Sequence, residues 1–167
     1  MRSSRKLLPV RNRAARKSAM GSYRSIFERD IADALEELGI KFTYESKSYP
    51  WREVLPSGFC NDCGAEKVYA DRTYTPDFFL ENGYIIEAKG MFTSKDRKIA
   101  LAMREQHPEI KLVYLFGHNN RLSRGSSTTY LEWCRKRKFE AADKKQLKSA
   151  LKMWAGRRDA YGSSDDD

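Results

Sequence analysis

An Asn-Gly step at residues 82–83, set between the apolar runs Phe78–Leu80 and Tyr84–Ile86, constrains this chain more than any other feature. Asn-Gly between two such runs is the strongest short-range signal for a β-hairpin. The hairpin carries Asp77 at its entry and Glu87 and Lys89 at its exit. Charged residues rarely sit in strands this apolar unless they pair or bind a metal. Two carboxylates with a lysine one step away are the parts of a metal-dependent phosphodiesterase.

Register decides whether the three charges meet, because side chains alternate faces along a strand. If the loop is Asn82-Gly83, Asp77 faces Ala88 and points away from Glu87 and Lys89, and no site forms. If the loop is Glu81-Asn82-Gly83, Leu80 faces Tyr84 and Asp77 faces Glu87, with Lys89 on the same face. A site therefore demands the longer loop. Gly83 suits its last position because only glycine enters the left-handed region freely. Pro76 has no amide to donate, so it marks the first residue of a strand or an edge.

The rest of the chain supplies a scaffold. Tyr23–Leu38 reads as a helix with Phe27, Ile31, Ala34, Leu35 and Leu38 on one stripe, Ser22 as N-cap and Gly39 as its stop. Glu28 lies about 60° from Ile31 on the helical wheel, at the margin of that stripe. Spacing alone favours a solvated glutamate there. Ile40–Glu45 reads as a strand, and Pro50–Ala70 as irregular. Ser94–Gln106 reads as a helix capped by Ser94, with Ile99, Ala102 and Met103 inward. Lys111–Phe116 is a continuous apolar run, expected to be covered on both faces. Ser126–Lys136 and Asp143–Trp154 read as two further helices. The order fits an α/β fold: a small mixed β-sheet flanked by helices, with Lys111–Phe116 parallel to the strand ending at Lys89.

Lys and Arg number 32 against 23 acids, a formal charge of +9, which favours a polyanionic partner. Arg2, Arg5, Lys6, Arg11, Arg13, Arg16 and Lys17 precede any acid and read as a flexible, phosphate-seeking arm. No segment is apolar enough to span a membrane, so no membrane partner is expected. The 3 cysteines argue against a disulfide framework and for a reducing compartment.

Several separated segments together resemble the bacteriophage endonuclease I family of Holliday-junction resolvases, within the PD-(D/E)xK nuclease fold. They are Tyr23-Arg24-Ser25 through Glu28, Leu38-Gly39-Ile40-Lys41-Phe42-Thr43-Tyr44-Glu45, Tyr74-Thr75-Pro76-Asp77-Phe78, Glu87-Ala88-Lys89-Gly90, Asp96-Arg97-Lys98 and Arg104 through Glu109. The likeness spans Tyr23 to about Lys145. It implies that Asp77 and Glu87 bind metal with the Ala88 carbonyl, that Lys89 stands beside the attacking water, and that Glu28 completes the site. This reverses the reading of Glu28 from spacing. The resemblance further implies Mg²⁺, for which Mn²⁺ substitutes, branched DNA as substrate, and a 5′-phosphate product. It also implies an intertwined, domain-swapped homodimer in which Glu28 serves the partner's site, and a phage-encoded protein working in the host cytoplasm. On this reading residues 1–20 are a basic arm, 21–156 the nuclease domain, and 157–167 a disordered acidic tail. Two alternatives stay open: a non-catalytic DNA-binding protein with a nuclease-like fold, and a duplex-specific endonuclease.

The chain departs from the family in the loop at 50–73, which is longer than usual. It carries Cys60-Asn61-Asp62-Cys63-Gly64, which looks like half of a zinc knuckle. Cys134, His107 and His118 are the remaining candidate ligands, and none has a supporting spacing. Zinc at Cys60 and Cys63 is therefore not expected.

Overall fold

The computed structural model describes residues 23–55 and 68–157. Helix α1 (Ile26–Glu37) leads into β1 (Phe42–Tyr44), and β2 (Tyr49–Val54) and β3 (Tyr69–Tyr74) follow. The hairpin is β4 (Phe78–Leu80) and β5 (Tyr84–Lys89). Then come α2 (Ser94–Gln106), β6 (Lys111–Phe116), α3 (Tyr130–Lys136), β7 (Ala141–Asp143), a 3-10 turn (Lys144–Gln146) and α4 (Leu147–Ala155).

The hairpin takes the longer loop. Phe78 pairs with Ile86 and Phe79 with Ile85, which sets Leu80 opposite Tyr84 and Asp77 opposite Glu87. Gly83 donates its amide to Leu80 O at 3.1 Å. Its φ is +83°, the left-handed conformation expected for this loop. Gly83→Ala should therefore lower stability by about 1 kcal/mol, the cost of forcing a Cβ into that region. A urea midpoint that falls at constant m-value would show it.

The sheet has the order β1-β4-β5-β6-β7. β1, β4 and β5 are antiparallel neighbours, whereas β5–β6 and β6–β7 are parallel. Alternation along its strands feeds two cores. On one face Phe78, Ile86, Val113 and Leu115 pack with Ile31 and Leu35 of α1 and Leu151 and Trp154 of α4. On the other, Ile85, Leu112, Tyr114 and Phe116 pack with Phe92, with Ala100 and Met103 of α2, and with Tyr130, Trp133 and Cys134 of α3. β6 is covered on both faces, and all its residues but Lys111 are buried. The parity of the strands puts Asp77, Glu87 and Lys89 on the face of α2 and α3, and α1 on the opposite face.

Four expectations are corrected. The N-cap of α1 is Ser25, whose hydroxyl accepts from Glu28 N, so the helix begins three residues after Tyr23. The caps of α2 and α3 are Thr93 and Thr129, each in a reciprocal capping box with Asp96 and Glu132. The segment read as irregular, and with it the inserted loop at 50–73, holds two antiparallel strands, β2 and β3. Gln106 at the end of α2 props them: its Nε2 donates to Arg52 O at 2.9 Å and its Oε1 accepts from Arg52 N at 2.7 Å. Finally, Ala141–Asp143 is a strand, held by parallel pairing with Tyr114–Phe116. The basic arm, the acidic tail beyond Arg157, and Cys60 and Cys63 lie outside the described residues.

Candidate active site

Asp77 and Glu87 are buried at 4 % and 3 % relative exposure, and Glu28 at 8 %; among the described residues they are the buried charged side chains. Burying a carboxylate is costly unless something compensates it, so each partner is informative. Asp77 Oδ2 accepts from Ala88 N at 2.8 Å, across the hairpin. Glu87 Oε1 lies 2.7 Å from Lys89 Nζ, and Lys89 Nζ lies 3.3 Å from Asp96 Oδ1. The other oxygen of Asp96 accepts from Thr93, so one carboxylate caps α2 and holds Lys89. Glu87 Oε2 is buried and has no hydrogen-bond partner.

Glu28 arrives from the opposite face of the sheet. Its Oε2 accepts from the Tyr44 hydroxyl at 2.6 Å and from Arg24 N at 2.9 Å, and its Oε1 from the Ser25 hydroxyl at 2.8 Å. Arg24 Nη2 lies 3.4 Å from Asp77 Oδ1 and also pairs with Glu45. Arg24 thus ties Glu28 to Asp77 through two different atoms, and the cluster closes at the strand ends. Within this one chain Glu28 is near enough to Asp77 to add to the charge that raises it.

The electrostatics divide the four groups into two kinds. Burial and then the neighbouring Glu87 push Asp77 up to about 7 from the usual carboxylate value, against the Ala88 amide and Lys89. Burial likewise raises Glu87, although Lys89 and the Tyr74 hydroxyl oppose it. Glu28 is also disfavoured by burial, but the Tyr44 and Ser25 hydroxyls and the Arg24 amide outweigh it and hold its carboxyl below the ordinary range. Burial works against charged Lys89, yet Glu87 and then Asp96 more than offset it and keep its pKa above that of a free lysine. Asp77 and Glu87 therefore share negative charge that Lys89 and Arg24 only partly offset, whereas Glu28 is held by hydrogen-bond donors and Lys89 by two carboxylates.

That pair suits a hard divalent cation. A cation would neutralise two desolvated carboxylates and give the orphaned Glu87 oxygen a partner. Among the described residues no three His, Cys, Asp or Glu side chains close into a cage. Mg²⁺ needs none, since it keeps several waters and takes one or two carboxylates plus substrate phosphates. Of Ala88 the structure shows the amide, engaged by Asp77. Of the other candidate zinc ligands, Cys134 is buried with its thiol pushed up to about 12, and His107 Nε2 sits 2.6 Å from Pro50 O.

The phage endonuclease I family matches residues 10–155. Endonuclease I of Escherichia phage T7 is 40 % identical over 126 residues, covering 75 % of each chain. The chain belongs to the phage endonuclease I family. A second member, endodeoxyribonuclease 1 of Enterobacteria phage T3, is 41 % identical over 132 residues, covering 78 % of each chain. Family membership covers both faces of the sheet, from α1 to α4, and so includes Glu28 together with the hairpin. Tyr44, Arg24 and Asp96, which hold the charged groups in place, have no sequence signature of their own apart from the Thr93-x-x-Asp96 capping pattern.

Proposed function

We propose that this chain is a Mg²⁺-dependent endodeoxyribonuclease that hydrolyses phosphodiester bonds in branched DNA, four-way junctions included, as a homodimer. The observation that carries the reading is the facing pair Asp77 and Glu87, buried at a strand end with Lys89 bonded to one of them. Asp77, Glu87 and the Ala88 carbonyl would hold Mg²⁺ with Glu28 assisting, and the ion would neutralise phosphate oxygens and acidify a bound water. Glu87 and Asp96 favour the charged form of Lys89. Its ammonium orients the attacking water and offsets charge building on the phosphate. Asp96 and Glu87 fix its position. Water adds to phosphorus, the bond to the 3′ oxygen breaks, and the cut strand keeps a 5′-phosphate.

The basic surface would contact phosphates, which positions DNA without reading its sequence. Resolving a junction needs two cuts, and a dimer brings two sites. Domain exchange preserves contacts while moving them between chains. An intertwined dimer would thus build the same cluster with Glu28 from one protomer and Asp77 from the other.

One comparison tests the reading: cutting of a four-way junction, linear duplex and single strand with Mg²⁺ and with chelator. Junction cutting should exceed duplex cutting and vanish without the metal. Equal duplex cutting would favour the duplex endonuclease, and tight binding without cutting the non-catalytic protein. Binding should also weaken with salt, at a log–log slope near −0.9 per phosphate neutralised.

A further inference from the structure

The four oxygens of the facing carboxylates are not held alike. Asp77 Oδ2 accepts from Ala88 N at 2.8 Å, and Glu87 Oε1 lies 2.7 Å from Lys89 Nζ. Glu87 Oε2 has no hydrogen-bond partner. Asp77 Oδ1 has a loose one, Arg24 Nη2 at 3.4 Å. That is well beyond the roughly 2.7–2.9 Å of a strong charge-assisted bond. The two oxygens open to a cation are therefore Glu87 Oε2 and the one that Arg24 leans on.

The two positive groups at the cluster differ in freedom. Lys89 is clamped between Glu87 and Asp96, and its side chain is 24 % exposed. The Arg24 side chain is 65 % exposed. Its main chain is nevertheless fixed, because Arg24 N donates to Glu28 Oε2 at 2.9 Å and Ser25 after it caps α1. The guanidinium thus swings from an anchored point. Its Nη2 also pairs with Glu45, whose amide donates to Asp77 O at 2.8 Å, so this further carboxylate stands at the same strand end. Glu45 has φ +45°, a left-handed conformation that is strained for a residue other than glycine. Such strain clusters at functional sites. Here it places a post on which Arg24 stays when Asp77 is taken.

A phosphodiester approaching three buried carboxylates is repelled by them, and a positive group that can reach out offsets the repulsion. Lys89 is engaged by two carboxylates. Arg24 is exposed, makes both carboxylate contacts through one nitrogen, and carries a planar fork that matches phosphate oxygens. Building on the nuclease reading above, we infer that Arg24 is the side chain that grips the scissile phosphate. Its guanidinium offsets Asp77 in the metal-free protein, yields Oδ1 to the divalent cation, and turns from the Glu45 post to the non-bridging phosphate oxygens.

The test compares wild type with Arg24→Gln, Arg24→Lys and Lys41→Gln. Lys41 pairs with Glu81 at the hairpin loop, the far end of the strands, so its loss controls for one unit of charge. Arg24→Gln keeps the backbone amide that bonds Glu28. With Mg²⁺ alone, calorimetry should show Arg24→Gln binding the ion about 5-fold more tightly than wild type, the effect of removing one unit charge at about 4 Å in water-like surroundings. At saturating Mg²⁺ its single-turnover cutting of a four-way junction should nevertheless fall by about 10²-fold. Arg24→Lys should recover part of that rate, and Lys41→Gln should match wild type in both readouts. In chelator Arg24→Gln should melt within about 5 °C of wild type, because so exposed a pair holds little stability. A variant that binds Mg²⁺ no more tightly, or cuts at the wild-type rate, would overturn the inference and leave the nuclease reading standing. A collapse of its melting temperature would do the same, making Arg24 a structural strut. Wild-type protein that neither binds Mg²⁺ nor cuts DNA would overturn both.

Discussion

Glu87→Gln should reduce Mg²⁺-dependent cutting by about 10²- to 10³-fold while leaving junction affinity close to wild type. The amide keeps the shape of the side chain, so the hairpin register and the packing of β5 on β6 should survive. What changes is charge. Glu87 supplies the buried oxygen that lacks a partner, and it is the nearer of the two carboxylates that hold Lys89. On the proposed reading the variant removes a cation ligand and releases one side of the Lys89 clamp together. Affinity for DNA, by contrast, comes mainly from phosphate contacts with a chain carrying +9. Single-turnover cutting with Mg²⁺ and gel-shift titration with chelator separate the two effects. Retention of more than a tenth of the wild-type rate would remove Glu87 from the chemistry. Loss of binding in parallel with cutting would mean that the substitution had unfolded the strand end.

Lys89→Ala offers the complementary result. On the proposed reading Lys89 is not a cation ligand, so Mg²⁺ affinity should hold or improve while the rate falls. The improvement would follow from removing a positive charge 2.7 Å from a ligand oxygen. If Lys89 acted only as a structural counter-ion, replacement by arginine would restore cutting, because Arg also neutralises Glu87. Orientation of a single water by a compact ammonium is a task that the planar guanidinium does not reproduce.

The hairpin was legible because its physics is local. A glycine placed to take positive φ, and a loop length that only one register converts into a site, both lie within residues 77–89. Glu28 was not legible from spacing. Its burial depends on the hydroxyl of Tyr44, 16 residues away, and on the Arg24 amide, and helical periodicity placed it only at a margin. The family resemblance supplied what periodicity could not. The β2–β3 ribbon was missed for a related reason. β3 buries none of its side chains fully, so it has no apolar face to announce it. β2 contains Pro50 and is propped by Gln106 and His107, more than 50 residues on. β7 is only Ala-Ala-Asp, without a β-branched residue, and owes its strand geometry to the neighbouring β6. The misplaced caps are a smaller matter: Thr93 and Ser94 are adjacent hydroxyls, and only the reciprocal bond to Asp96 chooses between them. Non-local hydrogen bonds explain each of the larger misses.

Asp77→Asn should make the metal-free protein more stable at pH 8 than wild type, although it abolishes cutting. In the folded chain Asp77 is raised to about 7 from 3.8, first by burial and then by Glu87. Between those values the folded state holds a proton that the unfolded state has released. Stability therefore falls as pH rises from about 4 to about 7, and the full penalty remains above that window. This is the reverse of a carboxylate in a favourable ion pair. Arg24 does not change the sign, since its side chain is 65 % exposed and surface pairs contribute little. An asparagine oxygen can still accept from Ala88 N, so the cross-hairpin bond survives while the charge is gone. The expected gain is on the order of 2 kcal/mol, or roughly 4–8 °C in melting temperature, at pH 8 in chelator. It should shrink to nothing near pH 4, where wild-type Asp77 is itself neutral. Adding Mg²⁺ at pH 8 should stabilise wild type and narrow the gap from the other side, because a bound cation stabilises the state that binds it. Melting curves of both proteins at pH 4 and pH 8, with chelator and with Mg²⁺, decide it. If the variant melts below wild type at pH 8 in chelator, Asp77 is a satisfied structural anion, and the strained carboxylate pair on which cation binding depends does not exist.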